Sequence, residues 1–325
     1  MALMTRLAPG GQHHATPPSR RPRRSRALIG ALLAFFALGA CRELIARTLD
    51  GPMLDRSRLV QTFNEDFSQP PSFWNPVTNP NGRWKTNYYF SVQDTGATRG
   101  WESRTIASNG EGQYYGDPDA GMNPFGWQKG MLTIVGQRNR FRDDVRTDHL
   151  PYLSGLITTE RSFNQRYGYF EARIALPEGK GIWPAFWLLP QPAMVNGWAQ
   201  AVGQQEIDII ESIGEPHTLY LTNFSDDAGT KVADDLGRTF FTSADLTQFH
   251  NYGLLLTSTD IVWYLDDHEI RRRPNLDFHM PAYMLLNLAV GGTWPGMPDA
   301  STPLPARMRI AWVRAYRLAD GVPQP

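Results

Sequence analysis

Short runs rich in Val, Ile, Tyr, Phe, Trp and Thr recur along this chain, each bounded by Gly, Pro, Asn or Asp. Met131–Val135, Gly168–Leu176, Phe186–Leu189, Leu219–Phe224, Tyr252–Leu256, Ile261–Leu265, Tyr283–Val290 and Met308–Arg317 are of this kind. Amphipathic helical patterns are scarce. Regular short strands with turn signals specify an all-β sandwich or barrel. No Pro/Ser/Gly-rich linker interrupts residues 59–318, so that stretch reads as one domain, with a short tail at 319–325. In Tyr169–Leu176, alternation puts Phe170, Ala172, Ile174 and Leu176 on one face and Glu171 and Arg173 on the other. Ile261–Leu265 is apolar on both faces, as a strand covered on both sides must be.

Charge is distributed unevenly. The 32 Lys and Arg balance 32 Asp and Glu, but residues 1–40 hold six Arg and no acid. The remainder is mildly acidic, which argues against a nucleic-acid footprint. A basic stretch at 20–26 precedes 14 mostly apolar residues at 27–40, the n- and h-regions of an export signal. The apolar stretch is shorter than the roughly 20 residues a membrane span needs. It ends at Cys41, the only cysteine. Leu38-Gly39-Ala40-Cys41 resembles a bacterial lipobox, which implies cleavage before Cys41 and a lipid on its sulfur. The alternative is ordinary cleavage nearby. Either reading places the protein outside the cytoplasm, in the periplasm or outer membrane as a lipoprotein, otherwise secreted. Residues 41–58 read as a tether, and the lipid is the one membrane contact expected.

The chemical centre is Glu206–Glu211, Glu-Ile-Asp-Ile-Ile-Glu. Strand alternation puts Glu206 and Asp208 on one face and Ile207 and Ile209 on the other, which leaves Ile210 with the acids and Glu211 opposite them. One extra residue at 209–210, a β-bulge, would return Glu211 to the face of the other two. Glu206 and Glu211 would then stand four strand steps apart, about 13 Å at roughly 3.3 Å per step. Leaning glutamate arms could bring the carboxyls to about 5 Å, the separation a retaining glycosidase uses. An acidic solvated face and a calcium site are the other readings of these six residues.

Around this strand lie residues suited to sugar. Trp183, Ala185 and Trp187 share one strand face, and two Trp just upstream of the acids suit a sugar platform. Asn109, Glu111, Gln113 and Tyr115 are in phase as one wall of a cleft. Trp294 sits in a glycine-rich loop, 291–296, where a tryptophan has little strand around it to bury it. His250 reads as a hydrogen-bonded structural histidine, and the histidines show no metal-ligand spacing.

Taken in chain order, Phe63–Phe67, Asn109–Tyr115, Tyr167–Arg173, Trp183–Trp187, Glu206–Glu211, Phe249–Tyr252, Leu286–Gly296 and Val313–Tyr316 resemble glycoside hydrolase family 16 over residues 60–317. The resemblance implies a concanavalin A-like jelly roll of two curved antiparallel sheets, with the acid strand on the concave face. It implies Glu206 as nucleophile, Glu211 as acid/base, Asp208 as helper, and Asn287 as a further contact to sugar. It also implies a polysaccharide substrate cleaved at internal β-1,3 or β-1,3-1,4 linkages, or those of a related bacterial exopolysaccharide, by a monomer with no cofactor. A transglycosylase and a non-catalytic glucan-binding protein share the scaffold. Three positions depart from the pattern. Asn223 stands where many laminarinases carry His, and is counted among the sugar contacts. Ala311 stands where a structural calcium often finds an Asp, so no metal is expected. Leu156 stands where several members bear Arg.

Overall fold

The computed structural model describes residues 48–89, 104–195, 198–200, 205–227, 230–232 and 238–319, all within one compact unit, Ile45–Pro325. The export signal at 1–40, Cys41 and residues 320–325 lie outside the described residues. Among the described residues the fold is two large β-sheets, a two-stranded hairpin (Ala193–Val195 with Trp198–Gln200) and a few single 3-10 turns. No helix among them is long and apolar enough to cross a membrane.

The larger sheet runs in the order His268–Pro274, Asp260–Leu265, His250–Leu256, Gly168–Ala175, Ala306–Leu318, Met131–Arg138, Tyr152–Ser154 and Gln113–Tyr115. Leu59–Glu65 pairs along the second half of Ala306–Leu318. The smaller sheet runs Thr230–Val232, Thr218–Asp227, Glu206–Glu211, Ile182–Pro190, Ala282–Val290 and Leu156–Thr158. Pairing is antiparallel throughout both, except where Gln113–Tyr115 runs parallel to Tyr152–Ser154. The short strands expected from β-branched and aromatic runs are thus present, and they stack as a sandwich.

The core between the sheets follows from alternation. Phe170, Ala172, Ile174, Leu254, Leu256 and Trp263 come from the larger sheet, and Phe186, Leu188, Ile207, Leu219, Leu221, Met284 and Leu286 from the smaller. On the far face of the larger sheet, Tyr169, Val262 and Tyr264 form a second cluster with Leu54, Leu59, Leu255 and Tyr316. This explains why Ile261–Leu265 is apolar on both faces: the chain preceding Leu59 covers its outer side. The stretch read as a tether is therefore, over residues 48–58, a docked segment. Its Leu54 N–H donates to the Asp267 carbonyl (2.8 Å), and Glu269 N–H donates back to the Pro52 carbonyl (2.9 Å). Asp266 and Asp267, at φ 48° and 66°, form the tight turn that brings these groups together.

An ion network fastens the segment. Arg56 donates both Nη groups to Glu171, at 3.2 and 2.7 Å, and also holds Asp267 through Nε at 2.8 Å. Tyr316 donates a third hydrogen bond to Glu171 at 2.9 Å. Glu171 is 0% exposed, so its carboxylate depends on these donors. Removing one partner of a buried pair is costlier than the pair is worth, although Arg56 is itself half-exposed and water dilutes the effect. Arg56→Ala is expected to lower unfolding free energy by about 1–3 kcal/mol in urea titrations. Adding Glu171→Gln to it should recover part of that loss. A single variant as stable as the parent would show that the segment is not held by this network.

Candidate active site

The strand Glu206–Glu211 lies between Thr218–Asp227 and Ile182–Pro190. Against the first, Asp208 faces Thr222 and Glu211 faces Tyr220, so three steps on one strand match two on the other. Against the second, Asp208 faces Trp187 while Ile210, not Ile209, faces Phe186. One extra residue therefore interrupts both ladders at 209–210. Its effect is visible in the side chains: Ile207, Ile209 and Ile210 all enter the core, whereas Glu206, Asp208 and Glu211 all line one groove. The chain resolves the conflict between parity and polarity with a β-bulge. The carbonyl of Asp208 at the bulge accepts a hydrogen bond from the Trp263 indole, at 2.7 Å.

The groove has a volume of about 610 Å³. Three carboxyls on one wall cannot ionise independently. Asp208 is 2% exposed, and its Oδ2 has no hydrogen-bond partner among the described residues. Burial, then the charges of Glu211 and Glu206, then a hydrogen bond to Glu206, hold its pKa well above the usual carboxylate range. Glu211 is pushed up to about 8 by burial, with the Glu206 charge adding to the rise. The Trp183 indole N–H donates to Glu211 Oε1 at 2.8 Å and opposes that rise. Burial thus favours the protonated form of Glu211 beside Glu206.

Aromatic residues flank the acids. Trp183 meets Trp294 edge-on at 5.3 Å, and Trp294 meets Tyr220 at 4.7 Å. Trp294 is 42% exposed and is the open face of this group. Its loop leaves the end of Ala282–Val290 through Gly292 at φ 149°, where a Cβ would come within 3.2 Å of the Trp183 ring. Trp187 and Asn287 also line the groove, but each occupies the other: Trp187 Nε1 donates to Asn287 Oδ1 at 2.7 Å, and Asn287 Nδ2 donates to the Tyr115 hydroxyl at 2.9 Å. They form a buried brace beneath the groove. Leu156 packs into the same apolar cluster with Tyr88, Tyr115 and Trp187.

The wall expected from Asn109 to Tyr115 divides in two. Asn109 ends a 3-10 turn and Gly110, at φ 68°, turns the chain, so the strand begins only at Gln113. Asn109 and Glu111 line the groove, while Gln113 and Tyr115 are buried behind it. Glu111 accepts from Ile106 N–H, Asn109 Nδ2 and Gln113 Nε2 at 3.0, 3.2 and 2.6 Å. Burial nevertheless outweighs these bonds and raises its pKa.

Asn223 requires correction as a groove residue. It faces Ile207 across the ladder and therefore shares the core side with Leu219 and Leu221. The residue opposite Asp208 is Thr222. Tyr220, Thr222 and Phe224 line the groove in its place, and the alternation with Leu219 and Leu221 carried that signal. Tyr88 and Ile106 also line it. Both lie outside regular strands and left no periodic mark. His250 is held by Asp266 at Nδ1 (2.6 Å) and by the Asp245 carbonyl at Nε2 (3.1 Å). Ala311 sits at a shift in register within Ala306–Leu318 and offers no side-chain oxygen to a cation.

Two endo-1,3-1,4-beta-glycanases of Rhizobium meliloti (strain 1021) resemble the chain. ExsH is 35% identical over 271 residues, and EglC is 36% identical over 273 residues. Each match covers 82% of this chain and 53% of the relative, so the chain spans about half the length of these proteins. Among solved structures, the laminarinase catalytic domain from Thermotoga maritima MSB8 superposes with a TM-score of 0.63 at 27% identity, covering 81% of this chain and 99% of that one. The endo-beta-1,3-glucanase from Pyrococcus furiosus gives 0.63 and 27%, over 83% and 99%. The model of glycosyl hydrolases family 16 matches residues 127–314, which span the acid strand, its Trp183–Trp187 neighbour and the Trp294 loop. With the sandwich and the acid-lined groove in the same stretch, the chain belongs to glycosyl hydrolase family 16.

Proposed function

We propose that this protein is an exported endo-β-glucanase that cleaves internal β-1,3 or mixed β-1,3-1,4 linkages with retention at the anomeric carbon. The observation that carries this reading is the bulge that sets Glu211, protonated up to a pH of about 8, on the same wall as Glu206. The names of the Rhizobium and Thermotoga relatives support the substrate class. Glu206 attacks the anomeric carbon while Glu211 gives its proton to the departing glycosidic oxygen, so the C–O bond breaks as the glycosyl ester forms. Glu211, now a carboxylate, takes a proton from water. The water oxygen displaces Glu206 from the same carbon, and net configuration is retained. Asp208, whose pKa burial and the neighbouring acids raise, hydrogen-bonds Glu206 and orients it. Trp183 and Trp294 offer faces for sugar rings, and no step requires a cofactor. The domain acts as a monomer.

Glu206→Gln and Glu211→Gln should each lower kcat on lichenan or laminarin by about 10³-fold or more, because each removes a group that reacts directly. Near-parental hydrolysis by either variant would exclude this mechanism. The pH profile supplies a second expectation. The acid must be protonated, so activity should fall as pH rises through about 8. The Trp183 N–H bond stabilises the Glu211 carboxylate, so Trp183→Phe should move that alkaline limb to higher pH. A limb that stays in place or moves down would separate it from Glu211. Export ends, on this proposal, with a lipid on Cys41. Cys41→Ser should transfer the protein from the membrane fraction to the soluble one, and unchanged fractionation would remove the anchor.

A further inference from the structure

The bulge that aims Glu211 is contacted from the opposite side of the sandwich. Trp263 belongs to Asp260–Leu265 in the larger sheet, yet its indole N–H reaches the main-chain carbonyl of Asp208 in the smaller one, at 2.7 Å. A donor approaching from the opposing sheet means that this carbonyl points out of the plane of its own sheet, into the core. The register shifts on both flanks begin at this same residue, Asp208. Trp263 is fully buried, and its ring is steadied by the Arg271 guanidinium, 4.8 Å from the ring centroid and paired with it in register. Trp263 lies on the far side of the acid strand from the groove and touches no substrate.

We infer that Trp263 is a positioning residue for the acid cluster: its indole N–H holds the Asp208 carbonyl in the core and so fixes the extra residue that turns Glu211 into the groove. The inference rests on reading Glu206 and Glu211 as the reacting pair. A buried carbonyl without a donor is costly to keep. Once the indole N–H is gone, the 208–209 peptide gains by rotating back toward the flanking strands. That rotation loosens the bulge, and the backbone that aims Glu211 then shifts its carboxyl away from its place beside Glu206. The geometry of the pair changes while the sugar-contacting walls, built on Trp183, Trp294, Asn109 and Glu111, stay in place. The signature is therefore a loss in kcat without a matching change in KM.

The decisive variant replaces Trp263 site-specifically by β-(3-benzothienyl)alanine, which substitutes sulfur for the indole N–H and keeps ring volume. Trp263→Phe is a second variant. Trp84→Phe is the control, because Trp84 is equally buried in the same core and donates instead to Glu65 at 3.3 Å. The isosteric variant should lose about 10- to 100-fold in kcat on lichenan or laminarin, as displacement of a reacting group by about 1 Å does, with KM within about twofold of the parent. Amide exchange at Ile209–Glu211 should accelerate about 10-fold in the same variant and not in Trp84→Phe. A kcat within about threefold of the parent, a loss shared with the control at equal melting temperature, or unchanged exchange at the bulge would each overturn the inference. If the parent itself cleaves no glucan, the activity reading fails, and the exchange comparison alone decides the role of Trp263.

Discussion

Everything chemical in this molecule depends on one surplus residue in a six-residue strand. Side chains on a regular strand alternate, so a strand of acid, isoleucine, acid, isoleucine, isoleucine, acid cannot satisfy both faces in regular register. Either Ile210 is left in the groove and Glu211 is forced into the core, or the ladder gains a residue. Burying an unpaired carboxylate is far more costly than one local distortion of the ladder. The bulge also delivers Ile209 and Ile210 together to the core, and each buried isoleucine contributes about 1.5–3 kcal/mol. The distortion that aligns the acids is thus offset by the packing it creates.

The surrounding walls are held by polar groups that are themselves buried. Lys85 and Glu160, each almost fully buried, pair at 2.6 Å, and Lys85 also donates to the Tyr88 carbonyl at 3.0 Å, directly behind a groove-lining ring. Arg104 ties the Thr86 and Tyr115 carbonyls to the Asp117 carboxylate at 3.0, 3.0 and 2.9 Å. Such pairs add little net stability, but each specifies one arrangement of irregular chain, since any other leaves a charge unpaired in the core. That is what loops need when no strand ladder sets their register. The strand-borne residues of the groove are placed by alternation, and Tyr88, which lies on irregular chain, by the buried Lys85–Glu160 pair.

How legible all this was in the sequence divides along the same line. Features governed by period-two alternation could be read directly: the strands, the shared face of Trp183, Ala185 and Trp187, and the need for an extra residue near Ile209. Features governed by contacts distant in the chain could not. Arg56 looked like part of a tether because its partners, Glu171 and Asp267, lie 115 and 211 residues away. Asn109 to Tyr115 looked like one wall because the left-handed turn at Gly110 breaks a phase that the letters alone preserve. Asn223 reads as a sugar contact only by its resemblance to a family position beyond the turn after Glu211. Parity across a turn is set by ladder pairing, and pairing with Ile207 sends it to the core. Trp263 carried no mark beyond its strand, since which carbonyl an indole will find depends on the sheet across the core.

On the proposed function, the acid cluster sets catalysis against stability, and the sign of that opposition follows from the protons. Burial and the Glu206 charge push the Glu211 pKa up to about 8 in the folded protein, against 4.5 for a free glutamate. Between those values the unfolded chain releases a proton that the folded chain keeps. The contribution of this group is therefore fullest below about 4.5 and is progressively lost as pH rises to about 8. Asp208 adds to the effect in the same direction, its pKa being raised by burial and by the charges of Glu211 and Glu206. A fold that keeps a buried carboxyl protonated at neutral pH cannot escape this, because the burial and charge that hold the proton are what the fold must sustain when the proton leaves. Ile207, Ile209 and Ile210 of the same strand answer that demand, anchoring it in the apolar core directly behind the acids.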